Sequence, residues 1–126
     1  MPRAYGGADL LICRAGATTI AELTVCKKPA ILVPFPFAAD DHQTVNAQSL
    51  VEAGAAILLQ EKDLTAQKLA AEIRGLEADR NRLARMARAS GVLGRPEAAR
   101  EIADVCVQLC RARLVREGRH LPPAVK

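Results

Sequence analysis

The sequence predicts an α/β fold in which about three parallel strands are followed by helices. Short apolar runs at residues 9–13, 30–33 and 55–59 lie next to glycine or proline, which is typical of strands buried on both faces. Helical periodicity separates these runs. The order strand, helix, strand, helix, strand implies right-handed crossovers and therefore a parallel sheet. At 126 residues the chain has room for one domain or for part of one.

Glycine and proline mark the ends of the predicted helices. Pro29 stops the first helix, Gly54 ends the second, and the two glycines within residues 91–94 predict a break before the last helix. Pro96 fits the first turn of that last helix, because proline needs no backbone N–H there. The helices are expected over about residues 19–26, 43–52, 63–76, 79–89 and 96–115.

The last predicted helix carries an apolar stripe and leads into a polar tail. The stripe comprises Ala98, Ile102, Val105, Leu109 and Ala112. These residues recur at helical spacing, so we expect them to face a packed neighbour. Residues 118–126 contain two consecutive prolines and predict a disordered tail. The folded domain is therefore expected over residues 1–117.

Charge and aromatic content narrow the classes of partner. Residues 80–126 hold eleven Arg and Lys against four Asp and Glu, whereas residues 1–79 hold seven against ten. A basic end fits an acidic partner, an anionic membrane surface or, most commonly, a solvated helix face. With two Phe, one Tyr and no Trp, the chain lacks stacking platforms for single-stranded nucleic acid. We therefore expect no nucleic-acid partner.

The cysteine pattern and the lack of long apolar runs indicate a cytoplasmic setting. Cys13, Cys26, Cys106 and Cys110 form no CxxC pair and no zinc pattern with histidine. We therefore expect reduced, buried thiols and no metal site. The sequence shows no basic-then-apolar leader and no apolar run of about 18 residues, which predicts a chain that is neither exported nor membrane-spanning.

The turn after the first predicted strand has the composition of a phosphate-binding loop. Gly16 and Ala17 remove side-chain bulk, so a ligand can approach the backbone beside the N-terminus of the next helix. Thr18 and Thr19 add hydroxyl donors, and Glu22 can accept hydrogen bonds from a ribose diol. The spacing from Thr19 to Glu22 also fits a capping box, in which the acid only closes its own helix. Both interpretations stay open at this point.

The turn after the second predicted strand, residues 34–43, ends in a polar cluster. The candidates for binding sugar hydroxyls there are Asp41, His42, Gln43 and Asn46. Amide side chains suit that task because they donate and accept in fixed directions. The spacing from Asp40 to Gln43 also fits a capping box, and Phe35 and Phe37 are more typical of packing than of stacking. Neither GxGxxG nor a P-loop motif occurs in the sequence, so dinucleotide and P-loop sites are excluded.

The predicted sheet is small for its class. Doubly wound domains usually have five or six parallel strands, and residues 5–8 read as a helix end that leads directly into the first of only three. This pattern indicates the back half of a larger nucleotide-binding domain. A sheet of three strands leaves one edge bare, which invites pairing with another chain.

Three stretches together resemble one protein family. ADLLICRAGATTIAEL, the strand exit at residues 29–35 and DDHQTVNAQSLVEAGAA are similar to the C-terminal domain of the MurG family. Its members are N-acetylglucosamine transferases of bacterial cell-wall synthesis. The resemblance covers about residues 5–115 and includes the specific motifs RxGAxTxxE and HQxxNAxxLxxAGAA. It implies part of one of the two Rossmann-like halves of an inverting, metal-independent, GT-B type glycosyltransferase.

The resemblance assigns roles to the residues of both turns. It implies a substrate site made of Gly16, Ala17, Thr18, Thr19, Glu22, His42, Gln43 and Asn46. In this assignment Glu22 binds the ribose hydroxyls of UDP-N-acetylglucosamine, the loop that precedes it lies beside the diphosphate, and Gln43 reads the sugar hydroxyls. The family's acceptor-binding N-terminal domain and its proposed catalytic histidine have no counterpart in this sequence. No catalytic residue is therefore assigned, and no cofactor is implied.

The activity that the resemblance implies is transfer of N-acetylglucosamine to undecaprenyl-pyrophosphoryl-MurNAc-pentapeptide, which converts lipid I to lipid II. We expect the chain to be the donor-binding part of such an enzyme, inactive alone, in the cytoplasm at the inner face of the cell membrane. The alternative is a non-catalytic sugar-nucleotide-binding subunit that pairs with a separate acceptor-binding chain.

The basic C-terminal end supports one further expectation. Arg111, Arg113, Arg116 and Arg119 are expected to bring the protein near anionic lipids, where each basic residue contributes about 1 kcal/mol. A third interpretation treats the same helices as a nucleic-acid surface. Dispersed arginines and scarce aromatic residues disfavour that interpretation.

Overall fold

The computed structural model describes residues 2–37 and 41–117. Its strands are β1 (Leu11–Cys13), β2 (Ala30–Leu32) and β3 (Ala56–Leu58). Its α-helices are α1 (Pro2–Gly7), α2 (Ala17–Val25), α3 (His42–Glu52), α4 (Ala66–Ala78), α5 (Arg80–Leu93) and α6 (Ala98–Arg116), with a 3-10 turn at Glu61–Asp63. The chain divides into two compact units, one that ends at Arg95 and one that begins at Pro96.

The three strands form one parallel sheet in the order β1-β2-β3. In its register Ile12 lies beside Ile31, and Ile31 lies beside Ile57. The predicted α/β class and parallel pairing are thereby confirmed. The predicted helix limits are close to those observed, and the largest difference is at the end of α5.

Helices cover both faces of the sheet. Residues of α2 and α3 pack with Ala30 and Leu32 in one apolar core, while α4 and α5 pack with Ile31 in a second. The alternation along β2 therefore places its side chains in two different cores. Burial on both faces is confirmed for β2, and the side chains of β3 are buried or half-buried against both cores. The prediction is wrong for β1. Ile12 of β1 is 47% exposed, because α4 and α5 pack over β2 and β3 and leave its side chain uncovered.

The helices α2 and α3 end with the same backbone turn. Lys27 and Gly54 adopt left-handed φ angles of 54° and 73°. Beyond each of them a backbone N–H returns to the last helical turn, from Lys28 to the Leu23 carbonyl and from Ala55 to the Leu50 carbonyl, at 2.9 and 2.8 Å. A second bond accompanies it in each turn, from the Lys27 N–H to the Thr24 carbonyl at 3.1 Å and from the Gly54 N–H to the Val51 carbonyl at 2.8 Å. The two bonds at each helix end define a Schellman cap, which glycine adopts without steric cost. Each cap turns the chain directly into the next strand.

The end of α5 differs from the sequence prediction. The break was predicted over residues 91–94, but the helix continues through Gly91 and ends at Leu93, so that only Gly94 lies beyond it. A Cβ atom on Gly94 would lie 2.6 Å from the carbonyl oxygen of Thr24, and one on Gly91 would lie 2.9 Å from Cγ of Lys27. Beside them the buried Ser90 hydroxyl donates to the Leu23 carbonyl at 3.3 Å. Small residues are needed here because α5 packs closely against the end of α2.

The second unit contains α6. Its helix begins at Ala98, after Pro96 instead of at it. None of the residues of α6, all of which are described, is buried, and in its predicted stripe Ile102 and Leu109 are 64% and 66% exposed. Among the described residues no helix is long and apolar enough to cross a membrane. The predicted tail at residues 118–126 lies outside the described residues.

The cysteines are less buried than the sequence predicted. Cys13 is half-buried in the sheet, and burial raises the pKa of its thiol. Cys26, Cys106 and Cys110 are exposed, so the prediction of buried thiols is wrong for these three. Cys26 lies at the helix end of α2 and the other two lie on α6, the helix without buried residues.

Replacing Gly94 with alanine should destabilise the protein. Because the new Cβ atom would overlap backbone atoms of Thr24, the expected cost is about 1–3 kcal/mol in the free energy of unfolding. Gly75→Ala is the matched control, since a Cβ atom there meets nothing within 4 Å and alanine favours a helix interior by about 0.5–1 kcal/mol. Urea unfolding of both variants measures the difference. Equal stability of the two variants would contradict the close approach of α5 and α2.

Candidate functional site

One guanidinium group joins the three points at which the chain leaves the sheet. Arg14 follows β1, and its Nη1 atom donates to the carbonyls of Val33 and Pro34 beyond β2, at 3.3 and 3.1 Å. The same atom forms an ion pair with Glu61 beyond β3. The Arg14 guanidinium also lies 5.5 Å from the ring centre of Phe35. Sequence analysis missed this role, since an arginine after a strand carries no pattern that names distant backbone carbonyls as its partners.

Two amide side chains of α3 hold the loop after β1. The Ala15 N–H donates to Oε1 of Gln43 at 3.2 Å, and the Ala15 carbonyl accepts from Nδ2 of Asn46 at 3.1 Å. Oε1 of Gln43 also accepts from the N–H of Phe35 at 3.0 Å. Gln43 therefore connects the turns after β1 and β2. These bonds use only its amide oxygen, so its NH₂ group is the part that can donate to a ligand.

The N-terminus of α2 lies directly after this fixed loop. Gly16 precedes the helix with an extended backbone, and its carbonyl accepts the first helical bond, from Ile20 at 2.9 Å. The N–H groups of residues 17–19 have no carbonyl within the helix to bond. Thr18 is exposed and Thr19 is half-buried. The capping-box alternative is wrong here, because Thr19 lies inside the helix and Gly16 is its cap.

The backbone of Gly16 does not itself require glycine. Its φ and ψ angles are −65° and 148°, a region that any residue adopts. Among the residues at 2–37 and 41–117, a Cβ atom there would meet only the Thr19 hydroxyl, at 3.9 Å, which is ordinary contact. The space beside Gly16 is therefore open, and it adjoins the N–H groups of the first turn of α2.

Glu22 lies on α2 beyond its first turn and accepts a hydrogen bond from Tyr5. The Tyr5 hydroxyl lies 2.8 Å from Oε2 of Glu22. This hydrogen bond to the Glu22 carboxylate, together with burial of the ring, raises the pKa of Tyr5 to about 12. The second carboxylate oxygen, Oε1, is the part that Glu22 can offer to a ligand.

The turn after β2 is described up to Phe37 and again from Asp41. Asp41 has a left-handed φ of 54° and precedes α3, so Asp40, which lies outside the described residues, is not the N-cap that the capping-box alternative assumed. His42 is the first residue of α3 and is exposed. The rings of Phe35 and Phe37 contact each other edge to face, with centres 5.7 Å apart, but Phe37 is 84% exposed. The expectation that Phe37 packs in the core is therefore wrong, since its ring contacts Phe35 at the surface.

The site residues fall into two sets by what they contact. Gln43 and Asn46 bind the Ala15 backbone immediately before Gly16, so the structure brings the two predicted turns together. Ala17, Thr18 and Thr19 form the first turn of α2 beside them. Among the residues that the structure describes, no group of three His, Cys, Asp or Glu side chains could hold a metal ion.

Two shallow clefts lie at the opposite edge of the sheet, around Asp9, Arg80 and Leu83. They have volumes of about 260 and 280 Å³, and the Arg80 guanidinium lies 3.5 Å from the Asp9 carboxylate where they adjoin. They lie near the start of β1, whereas ligands of open parallel sheets bind beyond the carboxyl ends of the strands. The polar groups at that carboxyl edge therefore make the better candidate site.

Comparison with known proteins identifies the family of this chain. The sequence model of the glycosyltransferase family 28 C-terminal domain matches residues 1–104. The chain is 67% identical over 113 residues to the UDP-N-acetylglucosamine--N-acetylmuramyl-(pentapeptide) pyrophosphoryl-undecaprenol N-acetylglucosamine transferase of Anaeromyxobacter sp. (strain Fw109-5), covering 90% of this chain and 30% of that protein. It is 56% identical over 123 residues to the transferase of the same name from Myxococcus xanthus (strain DK1622), covering 98% of this chain and 32% of that protein.

A solved structure shares the fold. The crystal structure of Acinetobacter baumannii MurG superimposes with a TM-score of 0.75 and 38% sequence identity, covering 83% of this chain and 31% of that one. The chain thus spans about 30% of the length of the curated relatives that it matches. The agreement confirms the resemblance and the α/β architecture that the sequence predicted.

Ionisation of the single tyrosine should report the contact with Glu22. The pKa of Tyr5 is raised to about 12 from an ordinary value of about 10. Since the folded-state pKa is the higher one, the Tyr5 contribution to stability is complete below about pH 10 and is lost as the pH rises towards 12. Glu22→Ala should bring the pKa back towards 10. Tyrosinate absorbance measures both proteins without interference, because the chain has one Tyr and no Trp. An unchanged pKa in Glu22→Ala would contradict the hydrogen bond.

Proposed function

Because this chain belongs to the glycosyltransferase family 28 C-terminal domain family, we propose that it binds UDP-N-acetylglucosamine at the carboxyl edge of its sheet. The relatives named above are N-acetylglucosamine transferases. The proposed role is that of the donor-binding part of such an enzyme.

The open space at Gly16 is the observation that carries this proposal. None of the described residues occupies the position of a Cβ atom there, and the N–H groups at the start of α2 adjoin it. A helix N-terminus with unbonded N–H groups attracts phosphate through directed donors and a positive dipole end. In this proposal the donor diphosphate lies against Gly16 and Ala17, with the hydroxyls of Thr18 and Thr19 within the same turn.

The remaining roles follow from which atoms stay available. Glu22 offers Oε1 to the ribose hydroxyls while Oε2 is held by Tyr5. Gln43 offers its NH₂ group to the sugar hydroxyls while Oε1 holds the loops. Asn46 supports the loop through the Ala15 carbonyl, and His42 at the start of α3 lies beside these amides in sequence.

The reaction proposed for the whole enzyme is transfer of N-acetylglucosamine to a lipid-linked MurNAc-pentapeptide. In this proposal the acceptor and the base that activates its hydroxyl belong to a domain outside this chain, because the curated relatives are about three times as long. No residue of this chain is assigned a catalytic role. Its contribution is to hold and orient the donor.

Introducing a negative charge at Gly16 tests the proposed position of the diphosphate. The two variants to compare are Gly16→Asp and Gly16→Asn. Aspartate and asparagine are both good N-cap residues and are nearly equal in size, so both variants should fold at least as stably as the wild type. Only the aspartate places a negative charge beside the diphosphate. We expect Gly16→Asp to weaken UDP-N-acetylglucosamine binding by at least about tenfold relative to Gly16→Asn, which corresponds to roughly 1.4 kcal/mol.

Calorimetric titration of the sugar nucleotide into the wild type and both variants gives the affinities, and urea unfolding gives the stabilities. Equal affinities of the two variants would show that the diphosphate binds elsewhere. No saturable heat from the folded wild-type chain would contradict donor binding by this chain altogether.

We also propose that the protein acts at the inner face of the cell membrane, where its lipid-linked acceptor resides. Arg111, Arg113 and Arg116 are exposed on α6, and Arg113 forms an ion pair with Glu117 at 2.8 Å. Arg119, the fourth member of the predicted basic patch, lies outside the described residues. Exposed arginines at one helix end attract anionic lipids by about 1 kcal/mol each.

Removing this charge should weaken binding to anionic vesicles. The test variant replaces Arg111, Arg113 and Arg116 with serine, and the matched control replaces three exposed arginines of α5, Arg82, Arg85 and Arg88. Both variants lose three positive charges, so their vesicle binding differs only if the arginines of α6 form a specific binding patch. Co-sedimentation with phosphatidylglycerol-containing vesicles should fall in the α6 variant and change much less in the control. Equal losses would indicate nonspecific attraction.

A further inference from the structure

Tyr5 lies outside both predicted turns, yet its hydroxyl reaches a residue of the donor site. We propose that Tyr5 is a positioning residue that fixes the Glu22 carboxylate for recognition of the donor ribose. This inference rests on the proposed function, since it assumes that Glu22 binds the ribose. It adds a residue of α1 to a site otherwise formed at the ends of β1 and β2 and the starts of α2 and α3.

The ring of Tyr5 is anchored in the core. Its side chain is only 8% exposed and packs in the same apolar cluster as Ala15 and Leu23. Those two neighbours flank the donor site, since Ala15 is the residue held by α3 and Leu23 follows Glu22 on α2. The Tyr5 hydroxyl is therefore presented from a rigid base and has little freedom to leave Glu22.

The hydrogen bond restricts a side chain that is otherwise free. Glu22 is exposed, and an exposed glutamate samples many rotamers, which a bound ligand must reduce to one. The bond from Tyr5 to Oε2, at 2.8 Å, selects one orientation before the ligand arrives. A group arranged in advance loses less entropy on binding, which raises affinity without any new contact to the ligand.

The two oxygens of the Glu22 carboxylate have different roles. Oε2 accepts from Tyr5, and Oε1 is left to accept from a hydroxyl of the ligand. Tyr5 keeps its proton throughout the physiological range, because the pKa of its hydroxyl is raised to about 12. It therefore donates to Glu22 at every pH at which the enzyme would work. A ligand that offers a ribose hydroxyl gains from this arrangement, and a deoxyribose ligand gains less.

Tyr5→Phe removes the hydroxyl and keeps the ring in the core. We expect this variant to bind UDP-N-acetylglucosamine about five- to tenfold more weakly, because the ligand must then order the Glu22 side chain itself. The affinity for the 2′-deoxyuridine form of the same sugar nucleotide should fall less. The ratio of the two affinities is therefore the decisive quantity, because loosening of the fold would lower both affinities equally.

A double-mutant cycle with Glu22→Ala tests whether Tyr5 acts through Glu22. In the Glu22→Ala background the Tyr5→Phe change should have no further effect on the affinity or on the ratio. Thr24→Val is the matched control, since it removes another buried hydroxyl of this region, one that donates to the Ile20 and Ala21 carbonyls. It should lower the free energy of unfolding and leave the ribose to deoxyribose ratio unchanged.

The outcomes separate this inference from the proposed function. If the wild type binds the donor and Tyr5→Phe shows the wild-type ratio, Tyr5 does not position Glu22 and the inference is overturned. An effect of Tyr5→Phe that persists in the Glu22→Ala background also overturns it. If the folded wild-type chain binds neither nucleotide, the proposed function fails first. Calorimetry measures all affinities, and circular dichroism checks that each variant is folded.

Discussion

The candidate site depends on one fixed residue, Ala15. Both of its backbone polar groups are bonded to α3, the N–H to Gln43 and the carbonyl to Asn46, and its side chain is fully buried. The first turn of α2 begins two residues later. The two bonds hold the two peptide groups that flank the Ala15 Cα atom, and neither group can rotate without breaking its bond. The direction of the α2 N-terminus is therefore set by two amides that lie some thirty positions away in sequence.

How much each contact around Ala15 contributes to stability depends on its exposure to solvent. The Arg14–Glu61 ion pair joins distant loops, but its side chains are 48% and 42% exposed, and such pairs contribute about 0–1 kcal/mol. The bonds from Gln43 and Asn46 are partly buried, and each contributes about 0.5–1.5 kcal/mol, with a larger cost if a partner is left unsatisfied. The amides therefore fix the loop, while Arg14 joins the strand exits with a weaker, salt-sensitive contact.

Two glycines illustrate how the same residue type serves structure and function. At Gly94 a side chain would overlap the Thr24 backbone, so the packing of α5 against α2 alone demands glycine. At Gly16 the backbone is unstrained and the neighbouring space is open, so packing makes no such demand. The sequence shows both as glycines beside helix ends and cannot distinguish them. Only the distance from each missing Cβ atom to its neighbours tells which one has open space beside it.

The strands, the helices and their order along the chain can be predicted from local sequence patterns. The apolar runs before Arg14 and Pro34 and the glycine at 54 identify strands and helix ends, because burial and backbone geometry act locally. Tertiary structure alone decided what the polar residues contact. The sequence predicts a ligand-binding amide at Gln43, and the structure shows that its side chain also joins two loops by hydrogen bonds. The sequence does not predict the hydrogen bond from Tyr5 to Glu22. Such contacts join residues far apart in the chain, and no local spacing encodes them.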